Sequence, residues 1–339
     1  MVGRAQLDDA DRRLGCAVRR RLRGRISAPD DEGTGMMTAL VGIDCGQSGS
    51  RSRIVIDGET VSESQGRPVY THGSLEPQLA RIIDEAVADV EAPELTVAVG
   101  SSGLSDEVSA EMVLSLVVSP AVRGIILAHD SVTSYLGALG PEPGAVVAAG
   151  TGVVTLAVGA RKVARVDGWG YLFGDAGSGY WIGRRAIDSV LRAYDGRGPA
   201  TDLTDRVLAE FPDLSKLYLE VQADPQKVSR VARYARDVAE LAGSDPVATA
   251  ISHDAGRALS ESVAAGLRRV SAEPDAPVAR IGNVFLSEAL RDAFDESLRN
   301  AAPDAVLVEN PGASLDGAVR LAALPEGSPL AGSVTSAGR

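Results

Sequence analysis

The chain has 339 residues, enough for two ordinary domains, and carries 46 acidic against 34 basic side chains for a formal charge of −12. With 45% apolar and 24% charged residues it has the make-up of a soluble globular protein, and its acidity argues against nucleic acid or an anionic membrane as partner. Two cysteines, Cys16 and Cys45, have no metal-ligand spacing and allow no disulfide framework, which points to a reducing, cytoplasmic compartment.

Residues 1–36 hold many arginines but lack the apolar core of a signal peptide, and are expected to be a disordered or extraneous extension. A basic anchoring arm is the other reading. TALVGID (38–44) is an apolar run of strand length, CGQSGS turns it, and RSRIVIDG resumes with a period of two. The helix that follows has Leu79, Ile82, Ile83, Ala86, Val87 and Val90 at helical spacing. LTVAVGSSG is a buried strand ending in small residues. A helical segment near 105–118 leads to the short strand GIILAHD and the helix SVTSYLGALG.

After Pro141 and Pro143 the pattern restarts: GAVVAAGTGVVTLAVGA is again strand, glycine turn, strand. An architectural repeat is expected, one hairpin opening each half. Residues 185–270 read as mostly helical, and PVARIGNVFLSEALRDAF and AVLVENPGASLDGAVRLAAL each read strand, turn, helix. Alternating strands and helices indicate α/β layers. The expected domains are 37–140 and 141–325, with 326–339 a disordered tail. No run of about twenty apolar residues is present to span a membrane.

The turn GIDCGQSGSR has neither the Lys-Ser/Thr of a Walker loop nor a following helix, so it is either an ordinary hairpin or a phosphate cradle. As a cradle, the backbone N–H groups of Gly46, Gln47 and Gly49 would face an anion, with Ser48 and Ser50 as hydroxyl donors and Asp44 holding the water shell of Mg²⁺. Gly150, Thr151 and Gly152 occupy the same position in the second hairpin. Two such turns could clasp the β- and γ-phosphates of a nucleotide, and Gly282-Asn283 at the end of a third strand would let a flat adenine lie close.

The segment VDGWGYLFGDAGSGYWIG (166–183) concentrates both tryptophans of the chain with Tyr171, Phe173, Tyr180 and six glycines. The set GIDCGQSGS, His-Asp-Ser at 129–131, Ala-Gly-Thr-Gly at 149–152, Ile-Gly-Asn-Val at 281–284 and Pro-Gly-Ala-Ser at 311–314 resembles the actin-like ATPase fold of sugar kinases, acetate kinase, actin and heat-shock chaperones. Within that fold, GWGYLFGDAGSGYWIG resembles the N-acetylglucosamine kinase branch, grouped with the BadF/BadG-type ATPases. The resemblance spans roughly 38–325.

It implies an α/β, two-domain, ribonuclease H-like fold with the ATP cleft between domains. It also implies ATP and Mg²⁺ as cofactors, a small-molecule sugar as substrate and a homodimer. The implied reaction is phosphorylation of the 6-hydroxyl of an amino sugar, N-acetylglucosamine first, with glucosamine, N-acetylmuramic acid or glucose as alternatives. The resemblance makes Asp130 the general base, though Asp130 could also simply cap the helix it precedes. It gives Asp44 the metal, Thr151 and Gly152 the phosphates, and Ser102 and Gly103 the sugar, the last pair being otherwise a plain turn. Asp175, flanked by glycines, would accept two sugar hydroxyls or else cap the helix from about Gly179, and Trp169 with Gly170 would wall the sugar. Trp181 is expected in the core, Tyr171 and Phe173 as packing, and His129 as packing or a surface contact.

Other classes are a non-catalytic ATP-binding sugar sensor and an iron–sulfur activator ATPase. Asp130 argues against the first and the lack of a usable cysteine pair against the second. Departures from the branch pattern are Ala176 in place of its usual Glu, Val153-Val154 after the second turn, and Gln47-Ser48 in the first. They leave the sugar's identity open.

Overall fold

The computed structural model describes residues 39–70 and 73–339, so the N-terminal extension lies outside the described residues. Two compact units result. The first takes in the described residues up to Gly137 together with Ala313–Arg339; the second is Ala138–Gly312.

In the first unit β1 (Ala39–Gly46), β2 (Gly49–Ile56) and β3 (Glu59–Gly66) form an antiparallel meander, and β4 (Leu95–Ser101) and β5 (Val122–His129) add parallel to β1. The residues of β4 are almost all buried and those of β1 mostly so, as in parallel strands covered on both faces. The covering helices are α1 (Leu75–Val87), α2 (Ala110–Leu116) and α3 (Asp130–Leu139). The apolar spacing read for α1 puts Leu79, Ile82 and Ile83 into a core shared with Ile43, Val97 and Leu127.

The second unit repeats this plan. β6 (Gly144–Ala149), β7 (Val153–Val158) and β8 (Val163–Val166) form the meander, and β9 (Pro277–Ile281) and β10 (Val306–Leu307) lie parallel to β6. The order β3-β2-β1-β4-β5 of the first sheet recurs as β8-β7-β6-β9-β10 in the second. The repeat is thus of five-stranded halves rather than of hairpins. The helical region supplies α4 (Gly179–Tyr194), α5 (Leu203–Glu210), α6 (Leu217–Ala223), α7 (Lys227–Ala232), α8 (Tyr234–Leu241) and α9 (Pro246–Val270), followed by α10 (Glu288–Ala301). Asp245 starts α9: its Oδ1 accepts the Val247 and Ala248 N–H groups at 2.6 and 3.0 Å.

Three expectations are corrected. β3 and β8 escaped the sequence reading, because the exposed edge strand ETVSESQG has no apolar face to give a period. The end of the chain is no loose tail: Val334–Gly338 forms β11, antiparallel to β5, and Arg339 N–H donates to the Arg123 carbonyl at 2.8 Å. The boundary at 325 also fails. Helix α11 (Ser314–Leu321) packs in the first unit, where Gly42 lies so close to Val319 that a Cβ would come within 2.7 Å of it. Small residues at 42 and 317 are what let this helix return. Among the described residues no helix is long and apolar enough to cross a membrane.

Candidate active site

The parallel strands of the first unit end level with one another. Asp44 on β1 is paired with Gly100 on β4, and Ser101 on β4 with His129 on β5. The next residues along, Ser102 and Asp130, therefore emerge together at the carboxyl edge of the sheet, where open α/β sheets bind ligands. Gly100 makes room for α3: a Cβ there would stand 2.1 Å from the Thr133 hydroxyl oxygen.

Asp130 opens α3, and its carboxylate lies against Ser102 and His129. The Ser102 hydroxyl donates to Oδ2, and His129 Nδ1 lies 2.8 Å from Oδ1. The Ser131 N–H donates to His129 Nδ1 at 3.1 Å, so the imidazole takes a first-turn amide of the helix. Ser102 and Asp130, expected at the site on separate grounds, are thus in direct contact. Gly103 follows with a φ of +73° and is exposed.

Asp44 faces the same edge. Arg51, its direct partner across the β1–β2 hairpin, donates from Nη2 to Oδ2 at 2.8 Å. Burial pushes the Asp44 carboxyl above its ordinary range, the negative Asp130 adds to that, and Arg51 opposes it. The Cys45 thiol, buried behind both carboxylates, is pushed up to about 12, by burial first and then by their charges, and is inert as a nucleophile. Gln47 and Ser48 form the exposed tip between Gly46 and Gly49. Ser50 is different: it is buried under β3, where its hydroxyl faces Gly66, so of the two serines only Ser48 stands at the tip.

Mg²⁺ keeps several of its waters and takes one or two carboxylates, a number that Asp44 with Asp130 near it would meet.

The second unit builds its turn from backbone. Gly150 and Thr151 are exposed, and their carbonyls accept the N–H groups of Gly179 and Tyr180 at 2.8 and 3.0 Å. Those donors open α4, capped by Ser178 through the Trp181 N–H. The cap expected of Asp175 therefore belongs to Ser178. Asp175 is buried with a φ of +58°. Its Oδ1 accepts the Gly170 N–H at 3.2 Å, and its other oxygen lies so near Gly152 that a Cβ there would be 2.8 Å away. Burial, then the charge of Asp167, raises its carboxyl; the Gly170 and Val153 amides pull the other way. Asp167, which sequence reasoning missed, accepts the Asp175 and Ala176 N–H groups at 2.8 and 3.0 Å and fixes the loop.

On that loop Trp169 is 76% exposed and Phe173 91%. Phe173 is thus not packing, whereas Tyr171 stacks edge-on against Tyr180 at 5.0 Å and Trp181 packs partly buried on the core. Gly170 has a φ of +82°. Gly282 and Asn283 are exposed at the end of β9. Gly282 has a local reason to be glycine, since a Cβ would stand 2.1 Å from the Ala149 carbonyl oxygen.

The model of the BadF/BadG/BcrA/BcrD ATPase family matches residues 41–322. N-acetyl-D-glucosamine kinase from Dictyostelium discoideum is 27% identical over 82% of this chain and 91% of its own length. Glucosamine kinase GspK from Vibrio cholerae is 30% identical over 52% of this chain and 62% of its own length. A solved structure described as a candidate N-acetylglucosamine kinase from Chromobacterium violaceum is 29% identical, covers 84% of this chain and 99% of its own, and superposes with a TM-score of 0.66.

Proposed function

The chain belongs to the BadF/BadG/BcrA/BcrD ATPase family, and from that premise we propose that it is an ATP-dependent kinase for the 6-hydroxyl of an amino sugar, N-acetylglucosamine first. The relatives that are kinases for N-acetylglucosamine and glucosamine support a sugar as acceptor. The observation that carries the reading is the meeting of Ser102, Asp130 and Asp44 at the carboxyl ends of parallel strands.

In this reading Asp130 Oδ2, now bonded by Ser102, takes the proton of the sugar hydroxyl as that oxygen forms its bond to the γ-phosphorus and the bond to ADP breaks. Ser102 and Gly103 contact the sugar, and Trp169 and Gly170 border it. Asp175 acts by holding Gly170 in place, with its carboxylate turned to the backbone. Asp44 would hold Mg²⁺, which supplies charge neutralisation at the phosphates. The exposed turns Gly46–Gly49 and Gly150–Gly152, with Gly282 and Asn283, serve the nucleotide through backbone groups.

The test is ADP release measured across a panel of hexoses and hexosamines, N-acetyl and lactyl forms included. N-acetylglucosamine should give the highest kcat/KM. Asp130→Asn should lower kcat by about a thousandfold while ATP affinity stays within a few-fold. Tight sugar binding with no turnover on any sugar would replace the kinase by a sensor.

A further inference from the structure

Arg51 ends the segment GIDCGQSGSR. It sits on β2 directly opposite Asp44, two ladder pairs back from the Gly46–Gly49 pair that the Gln47-Ser48 loop closes. Its guanidinium donates to Asp44 Oδ2 at 2.8 Å, although the arginine side chain itself is 52% exposed. The Asp44 carboxylate is far less exposed and faces the negative Asp130. An acid so placed needs a positive partner, and among the described residues Arg51 provides it.

We propose that Arg51 is a built-in counter-ion that competes with a divalent cation for Asp44. It keeps the acid oriented at the carboxyl edge of the sheet, and it must yield Oδ2 when a metal–nucleotide complex takes that carboxylate. The inference rests on the cation role of Asp44 given above. The competition has a physical basis: a guanidinium and a divalent cation at the same carboxylate repel one another, and they need the same oxygen lone pairs. Because Arg51 lies mostly in water, releasing it is inexpensive, as for other exposed ion pairs. A guanidinium that swings from Asp44 stays within reach of a phosphate oxygen at the turn, which it suits through its planar fork.

The competition makes a prediction opposite to that of a simple hairpin staple. Removing Arg51 should strengthen cation binding, whereas removing a staple would loosen the turn and weaken it. The experiment uses the full chain and Mn²⁺ as probe, following the free-ion signal by electron paramagnetic resonance without nucleotide. Arg51→Gln and Arg51→Ala should each tighten Mn²⁺ binding by about three- to tenfold, and adding Asp44→Asn should abolish the gain. Asp44-dependent binding that is unchanged or weaker in both variants overturns the proposal while leaving the cation role of Asp44 intact. Binding that does not depend on Asp44 in any form removes the cation role, and the proposal with it. Thermal unfolding of each variant shows whether it is folded, and Arg51→Lys, which keeps charge but loses the fork, should fall between wild type and Arg51→Gln.

Discussion

The two hairpins occupy equivalent positions in the two sheets but are stabilised in different ways. The β1–β2 turn is framed by charge: Asp44, Arg51 and the nearby Asp130 are side-chain groups, and its tip of Gln47 and Ser48 is exposed. The β6–β7 turn is framed by backbone: Gly150 and Thr151 accept amides of α4, Gly152 lies under the Asp175 carboxylate, and Gly282 presses on Ala149. The first turn is held by groups whose charge can change without moving the chain; in the second, Gly152 and the adjoining Gly282 leave no space for a side chain. The first turn thus owes its form to exchangeable charge, the second to backbone hydrogen bonds and close packing.

The largest effect that separates them lies at Gly282. Its φ of +103° is a region that side chains rarely enter, and an added methyl would collide with the Ala149 carbonyl. Gly282→Ala should lower the free energy of unfolding by about 3 kcal/mol or more. Gln47→Ala, at the tip of the charged turn, should stay within about 0.5 kcal/mol. Urea denaturation of both variants checks the contrast, and equal midpoints would break it.

Asp175 comes next. Asp175→Ala leaves the Gly170 N–H without its buried acceptor and should cost about 1–3 kcal/mol. Asp175→Asn keeps an acceptor oxygen and removes a charge that burial disfavours, so it should cost less than half as much. Hydrogen exchange at Gly170 should quicken in the alanine variant and barely change in the asparagine one. A loss confined to sugar KM, with unchanged exchange and stability, would instead return Asp175 to direct sugar contact.

The sequence carried the frame of this arrangement well and its side-chain pairing poorly. Strands β1, β4 and β6 were legible because central strands are apolar throughout, and the glycine turns because small residues interrupt those runs. The contact of Ser102 with Asp130 was within reach, since both end parallel strands. Arg51 was missed although hairpin register alone puts it opposite Asp44; counting outward from the turn finds it. Asp167, by contrast, has no such signal. It matters because Asp167 and Asp175 both adopt left-handed backbone, at φ of +59° and +58°, a conformation fixed by the folded loop rather than by local spacing. The return of β11 to the first sheet was likewise hidden, since SVTSAGR pairs through backbone and has little apolar pattern.

The smallest effect is the most diagnostic for the charged turn. The Asp44 carboxyl is raised by burial first, with Asp130 adding and Arg51 opposing. A raised folded-state pKa means that the folded chain holds this proton more tightly than the unfolded chain does. The stability it confers is complete below the unfolded value of about 3.9 and is lost as pH rises through the folded one. Asp44→Asn removes that dependence. Its stability relative to wild type should therefore climb as pH rises from about 4 through the raised value, then level off, with a total change below about 1 kcal/mol. Thermal melts of both proteins across that range, taken as differences, cancel the contributions of other groups. A difference that falls with pH would mean that the Arg51 pairing outweighs burial. The first turn would then be a salt-bridged staple, and its contrast with the backbone-built second turn would rest on stability rather than on exchangeable charge.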